Sequence, residues 1–339
     1  MRGAIMGRWA TFMSAMCCVL LAASTAGAST GVPKGWSKVG GAGKVPVYRM
    51  DFTDATHGLA YYYNVGFKKT SDGGKTWKSM GKVPSALMGV TDLAMGSSSV
   101  GYIVGPRKES GSPCGLYVTH NGGKTWTDRG SALGHGNLTR VCVTDAKRAW
   151  AFGDGWLIYV TTDGGNTWRN QYGDPYGFGQ IHGADFTDSN HGWASGTIHD
   201  LYLGDQVVFL RTVNGGQTWS STSMAGTPLL TGLEFANSQR GWAAGALPNS
   251  IYSTTNGGVT WQVKSAPVLG GPTVMLGFAS ASKGWLVGGF LWQTTNGGTT
   301  WSQYLSTSRV NAFDMARRTS AFIHVMTPGY KFQLYRWKK

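Results

Sequence analysis

The sequence predicts an all-β protein: a seven-bladed β-propeller with four antiparallel strands per blade, its last blade closed by the N-terminal strand. Three observations predict it. The 339 residues include 52 glycines and 15 tryptophans but only 14% charged residues, a composition suited to many short strands joined by tight turns. One eight-residue phrase recurs six times, its closing tryptophans 40 to 51 residues apart, which is the length of one four-stranded blade. Finally, Gly35-Trp36-Ser37-Lys38 matches the strand that follows the phrase elsewhere, and Trp36 lies 41 residues before Trp77.

The N-terminal residues are set aside first. Arg2 and Arg8 precede an apolar run from Trp9 to Ala23, and small residues follow as far as Ala26-Gly27-Ala28. A charged start, apolar middle and small-x-small ending describe a secretory signal peptide. Residues 1–28 are therefore assigned to a Sec-type signal and residues 29–339 to the propeller. No later segment is long and apolar enough to cross a bilayer, so the mature chain is expected to be exported, to periplasm, lumen or medium, as a monomer without a transmembrane segment. Cleavage lowers the formal charge from +14 to +12 and leaves two cysteines, Cys114 and Cys142. In an exported chain these read first as a disulfide, worth about 3 kcal/mol for a loop of that size, and otherwise as two buried thiols.

The recurrent phrase has the chemistry of a hairpin turn. Its copies are Thr70–Trp77, Thr119–Trp126, Thr161–Trp168, Thr212–Trp219, Thr254–Trp261 and Thr294–Trp301, each reading Thr-x-Asp/Asn-Gly-Gly-x-Thr-Trp. Asp or Asn before Gly-Gly supplies positions that accept positive φ and a side chain that bonds the nearby backbone. The closing indole is large enough to wedge between neighbouring sheets. Asp72 and Asp163 give way to Asn in the other four copies, which argues against an acid or metal role for them.

A second phrase precedes each turn, as in Gly192-Trp-Ala-Ser-Gly196 and Gly241-Trp-Ala-Ala-Gly245, and before that lies a strand such as Ala184-Asp-Phe-Thr-Asp188. Each unit thus supplies four strands. The C-terminal residues hold three more strand-like stretches, Val310–Met315, Ala321–Met326 and Phe332–Trp337, but no turn phrase. The N-terminal strand is expected to complete that blade, and closure removes the exposed sheet edges.

These motifs resemble the Asp-box (bacterial neuraminidase repeat) propellers, and specifically the photosystem II stability and assembly factor family, over essentially all of residues 32–339. The resemblance implies a non-catalytic exported scaffold without cofactor. Its implied partner is a protein, such as a membrane-complex subunit with an acidic surface. The matching motifs are the structural ones, so they map no partner-contacting position.

Asp-box propellers also include sialidases and other glycosidases, so a sugar-binding or sugar-cleaving protein is the alternative. Glycoside hydrolysis needs paired carboxylates. Most acids here fall in repeating columns: Asp72 and Asp163 in the turns, Asp54, Asp145 and Asp188 just after the first strand, and Asp51, Asp92, Asp185, Glu234 and Asp314 at one recurring position within it. The last five could ring a central channel and attract a cation, but the expectation is that each pairs with a neighbouring base or backbone donor, since unpaired buried carboxylates are costly. Asp200 and Asp205, with His199, sit in a long insertion from Thr197 to Val207 and are the residues a glycosidase would use. The sialidase pattern of an arginine before Ile-Pro is absent, and no Cys/His cluster has metal-ligand spacing.

The basic charge implies an acidic partner or an anionic surface, and membrane-surface attraction stays open although no amphipathic helix supports it. Nucleic acid is excluded by export and by the lack of any nucleic-acid module. Long loops at one end of a propeller carry recognition, so the candidate binding residues are Arg49, Arg107, Lys108, Arg129, Arg140 and Arg309, with Tyr172, Tyr176 and Phe178 as aromatic contacts.

Overall fold

A computed structural model describes residues 35–109, 111–173, 179–200, 204–225, 230–245, 250–267, 274–305, 309–316, 318–327 and 331–339; residues 1–28 and Tyr176 lie outside them. The strands are β1 (Trp36–Gly43), then in blade 1 β2 (Val47–Phe52), β3 (Gly58–Tyr62), β4 (Gly66–Thr70) and β5 (Lys78–Ser79). Blade 2 holds β6 (Asp92–Met95), β7 (Gly101–Val104), β8 (Leu116–Thr119) and β9 (Thr127–Asp128); blade 3 holds β10 (Leu138–Val143), β11 (Ala149–Gly153), β12 (Ile158–Thr161) and β13 (Arg169–Tyr172). Blade 4 holds β14 (Gln180–Phe186), β15 (Gly192–Asp200), β16 (Gly204–Thr212) and β17 (Ser220–Ala225); blade 5 holds β18 (Leu230–Phe235), β19 (Gly241–Gly245), β20 (Ser250–Thr254) and β21 (Gln262–Ser265). Blade 6 holds β22 (Met275–Phe278), β23 (Gly284–Gly288), β24 (Phe290–Thr294) and β25 (Ser302–Leu305), and blade 7 holds β26 (Arg309–Ala316), β27 (Ser320–Thr327) and β28 (Lys331–Lys338). In blade 7 the outermost place is taken by β1, antiparallel to β28 with Trp36 opposite Trp337 and Gly43 opposite Phe332. Seven four-stranded antiparallel sheets thus form a closed ring. The fold is a seven-bladed β-propeller.

The recurrent turn closes the third and fourth strands of six blades. In blade 1, Thr70 Oγ1 accepts the Gly74 N–H at 2.8 Å, while Asp72 Oδ1 accepts the Thr76 N–H at 2.9 Å and Oδ2 the Thr76 hydroxyl at 2.6 Å. In blade 2, Asn121 Oδ1 accepts the Thr125 N–H at 2.9 Å and Nδ2 donates to Thr125 Oγ1 at 2.8 Å. Asn and Asp interchange because the threonine hydroxyl can donate or accept. Gly73 and Gly74 sit at φ +73° and +88°, where a Cβ would be strained. Gly73 also donates its N–H to Thr56 O at 2.8 Å, tying this turn to the one between the first two strands.

Tryptophans lock the blades together. Trp193 of β15 stacks on Phe235 of β18 at 3.6 Å, and Trp261, which closes the blade 5 turn, meets the same Phe235 edge-on at 5.8 Å. Trp261 also stacks on Phe209 of blade 4 at 4.1 Å, the expected wedge between sheets. Trp150 on Phe186 and Trp242 on Phe278 repeat the first contact at 3.7 and 3.5 Å, and Phe322 on Phe52 makes it at 3.6 Å across the ring closure. Each such pair contributes about 0.5–1.5 kcal/mol beyond its buried area. The glycine before the tryptophan makes room for this packing: a Cβ on Gly192 would lie 2.2 Å from the Phe186 ring.

One expectation needs correction. Cys114 and Cys142 are both free thiols on different blades. Cys114 Sγ donates to Gly134 O at 3.0 Å within blade 2, whereas Cys142 lies on the inner strand of blade 3. The insertion from Thr197 to Val207 is an extended β15–β16 hairpin, with His199 opposite Asp205 and Asp200 opposite Gly204; the side chains of these three polar residues lie outside the described set.

Candidate ligand channel

The inner strands of all seven blades line a central cavity of about 270 Å³. Strand alternation turns every second inner-strand side chain towards the following blade, and the longer ones border the cavity. Two tiers result, set by pairing with the second strand. The tier nearer the turn end holds Asp51, Ala94, Cys142, Asp185, Glu234, Gly277 and Asp314, and the next holds Arg49, Asp92, Arg140, Gly183, Gly232, Met275 and Ala312. Asp92 therefore does not share the register of the other four acids, as the sequence reading had it. It stands one tier away, level with the two arginines.

The carboxylates hold neighbouring blades. Asp314 Oδ2 accepts the Phe52 N–H at 3.0 Å, Asp51 Oδ2 the Met95 N–H at 2.6 Å, Asp92 Oδ2 the Val141 N–H at 3.0 Å and Asp185 Oδ2 the Phe235 N–H at 2.7 Å. Each bond runs from one blade to the next, so the acids act as clips around the ring, paired with backbone donors as expected. Burial raises the Asp314 carboxyl well above the usual range, and the nearby Asp51 adds to this. Burial does the same to Glu234, with Asp185 adding and Arg318 opposing, and it raises Asp185, which Arg318 and the Phe235 N–H pull back.

Three arginines share the channel. Arg318, in the turn between β26 and β27 at φ +60°, crosses from blade 7 to the far side. Its guanidinium lies 3.9 Å from Asp185 and 4.0 Å from Glu234 and donates to Phe235 O. This occupies the turn end of the channel. Arg49 donates to Thr91 O at 2.5 Å and Tyr48 O at 2.8 Å, with Asp92 at 4.0 Å. Arg140 donates to Thr139 O at 2.9 Å and spans blade 4 to reach Thr231 O of blade 5 at 3.1 Å. Among the described residues no carboxylate pairs with Arg140 within 4.0 Å. Burial lowers the Arg49 guanidinium from its ordinary value, Asp92 opposes this, and the charge of Arg140 lowers it further. Two mutually repelling cations thus stand in a half-enclosed space, a setting that favours an anion.

Among the described side chains of the sequence candidates, the structure brings together Arg49 and Arg140. Arg107 is held by both oxygens of Asp128 at 2.7 Å and by Cys114 O, an internal staple of blade 2. Lys108 is exposed beside it, and Arg129 is half-buried after β9. Tyr172 ends the outermost strand of blade 3, far from the channel axis. Arg309 begins β26 opposite Met326, its side chain outside the described set, and Tyr176 and Phe178 are likewise outside it. Sequence reasoning missed Arg318 as a channel residue. The signal was present: where the other six blades carry Asp54, Ser97, Asp145, Asp188, Asn237 or Ser280 in this turn, blade 7 carries Arg317-Arg318.

No family model and no curated protein matches this sequence. Solved structures do. YCF48 bound to a D1 peptide is similar with a TM-score of 0.62 at 20% identity, covering 90% of this chain and 97% of that one. YCF48 from Cyanidioschyzon merolae gives 0.59 at 15%, covering 90% and 99%. The GH74 xyloglucanase from Xanthomonas campestris gives 0.59 at 14%, covering 88% of this chain but 55% of that one. The likeness is one of fold.

Proposed function

We propose that this chain is an exported, non-catalytic scaffold that captures an acidic segment of a protein partner at the open end of the channel, opposite the Arg318 end. The observation that carries this reading is the Arg49–Arg140 pair: two guanidinium groups bonded mainly to carbonyls, one without a carboxylate partner, repelling each other in a cavity too small for a folded domain. A chain terminus or an Asp or Glu side chain would supply the missing charge through bidentate bonds. The likeness to YCF48, solved with a D1 peptide, supports peptide capture as something this architecture can do. An assembly role for a membrane complex rests on the resemblance of the turn phrases to the photosystem II stability and assembly factor family.

The glycosidase alternative draws on the GH74 likeness. The carboxylates argue against it. Asp54, Asp145 and Asp188 cap turns by accepting backbone N–H groups. Asp72 and Asp163 close hairpins, Asp128 holds Arg107, and Asp154 accepts from Asn137. The channel acids clip blades. A hydrolase needs two carboxyl groups free to reach the substrate, and these described ones are engaged; the alternative therefore rests on Asp200 and Asp205, whose side chains lie outside the described residues.

The test is peptide binding to the purified protein. Acidic peptides with a free C-terminal carboxylate are expected to bind, and Arg140→Ala is expected to weaken them about tenfold or more, as loss of a charge-assisted pair does. Equal binding by wild type and the variant would refute the channel site. Turnover of any member of a glycan panel would favour the alternative.

A further inference from the structure

The positive charge is not spread evenly around the ring. In the outer half of blade 6, residues 290–305, there is no charged residue, and in blade 5, residues 250–265, only Lys264. In the same parts of blades 3 and 4 each base is matched by an acid: Arg169 by Asp163, and Arg211 by Asp205. Blade 1 differs. Residues 66–82 contain five lysines against Asp72 alone. Blade 7, next to it, adds Lys38 and Lys44 around β1 and Lys338 and Lys339 at the chain end, with no side-chain acid between residues 331 and 339.

These lysines adjoin one another. A Cβ on Gly40 of β1 would lie 1.9 Å from Gly74 O, so the closing strand rests on the blade 1 turn that carries Lys75. The Gly81 N–H donates to Gly123 O at 3.0 Å, which seats the segment leaving blade 1 on the blade 2 turn that carries Lys124. Lys38, Lys75, Lys78, Lys82, Lys124 and Lys338 are all exposed. Among the described residues, none of them forms an ion pair within 4.0 Å. Lys68 and Lys69 turn inward, onto the Tyr62 ring and Ser98 O, and Arg336 bonds Ala55 O at 3.0 Å. Among the described basic residues of this edge, the exposed ones are lysines.

We infer that the outer edge of blades 7, 1 and 2 is a docking surface for an anionic lipid bilayer. A shaped protein partner selects arginine, whose planar fork fixes geometry. A fluid array of headgroups asks only for point charges, which lysine supplies on a flexible stem. Of the large exposed apolar side chains among the described residues, Val65 adjoins this edge, since Gly66 packs on Lys82, and one valine is too small to anchor a protein, so attachment is mainly electrostatic and reversible. Lys75 and Lys124 lie in the turns, at the end of the ring opposite the channel mouth. A protein docked there keeps the mouth open. This inference does not rest on peptide capture, and either can fail alone.

The experiment is co-sedimentation of the purified protein with phosphatidylcholine vesicles, with and without about a third phosphatidylglycerol. Binding is expected only to the anionic vesicles, and it is expected to vanish between ~0.1 and ~0.5 M salt as the Debye length shrinks. The variant K75Q/K78Q/K82Q/K124Q is expected to lose at least tenfold in partitioning. A control removing as many charges elsewhere, K147Q/R169Q/R240Q/K264Q, is expected to retain it. Acetylation of the wild-type protein gives a readout without mutation: Lys75, Lys78, Lys82 and Lys124 should be protected by anionic vesicles while Lys147 and Lys264 are not. No binding to anionic vesicles at low salt, equal loss in both variants, uniform protection, or binding to polyglutamate but not to vesicles would each overturn the inference.

Discussion

Arg318 of blade 7 lies 3.9 Å from Asp185 of blade 4, so a turn at the ring closure is bound to the opposite side of the ring. The same guanidinium stands 4.0 Å from Glu234. In a propeller each blade mostly touches its two neighbours; like the Arg140 bond to Thr231, this contact reaches past a neighbour, and it adds a diagonal brace. Its carboxylates remain 18% and 19% exposed, so the brace is screened in part.

Arg318→Ala is expected to destabilise the fold by about 2 kcal/mol, below the 3–5 kcal/mol typical of breaking a fully buried pair. The deficit should grow with pH. Without the arginine the two carboxyls hold their protons more tightly when folded, while the unfolded chain releases them above about pH 4. Urea midpoints at pH 5 and pH 8 check both the size and the trend; a deficit independent of pH would remove the pairing from the account.

Asp314 gives a second pH prediction. Burial and Asp51 raise its carboxyl, so the folded protein binds a proton that the unfolded chain has already lost. Such a group stabilises below the unfolded value and costs stability as pH rises towards the folded one. Asp314→Asn keeps an oxygen to accept the Phe52 N–H but cannot ionise. It is expected to match wild type near pH 4 and to exceed it by about 1 kcal/mol or more at pH 8. Thermal melts across that range read the difference.

What the sequence made legible follows the range of the interactions. The turn phrase is closed by bonds within eight residues, so Thr70, Asp72, Gly74 and Thr76 could be assigned their geometry from residue types alone. Ring closure was legible because Trp36 copies Trp77. The channel was read less well, because its register is set by a partner strand. Asp51, Asp185, Glu234 and Asp314 stand seven residues before one register position of the next strand, Gly58, Gly192, Gly241 and Ala321, whereas Asp92 stands nine before its counterpart Gly101. That spacing held the information, and similarity of local pattern masked it. Arg107 was misjudged as available because nothing in the order of residues shows that Asp128 folds back onto it.

The turns contain their own control. Four of the six carry Asn where Asp72 and Asp163 stand, and both residue types make the same main-chain bond. Asp72→Asn is expected to change stability by less than about 0.5 kcal/mol, whereas Asp72→Ala, which leaves the Thr76 N–H without its acceptor, should cost about 1–2 kcal/mol. In acid the wild-type turn should weaken. Hydrogen bonds from Thr76 hold the Asp72 carboxyl down to about 2, so its contribution is present above the ordinary carboxylate range and is lost as pH falls through about 2. Chemical denaturation of the three proteins at neutral pH, and of wild type and Asp72→Asn near pH 2, compares them directly.

His324 gives a further pH prediction, at higher pH than Asp72. It lies on β27, buried against Phe332 with ring centroids 5.3 Å apart, and its Nδ1 accepts the Val47 N–H from blade 1 at 3.4 Å. The accepting nitrogen must be unprotonated, and burial lowers the ring to about 4. An imidazole depressed in this way stabilises above the unfolded value near 6.5, and the contribution drains away as pH falls from there towards 4, because the unfolded chain takes up the proton first. The loss over that window is on the order of 2–3 kcal/mol. His324→Gln retains an acceptor for the Val47 N–H and carries no titratable proton, so its stability should stay level between pH 6.5 and 4 while that of wild type declines. Parallel slopes for the two proteins would mean that the blade 7–blade 1 junction does not sense this proton.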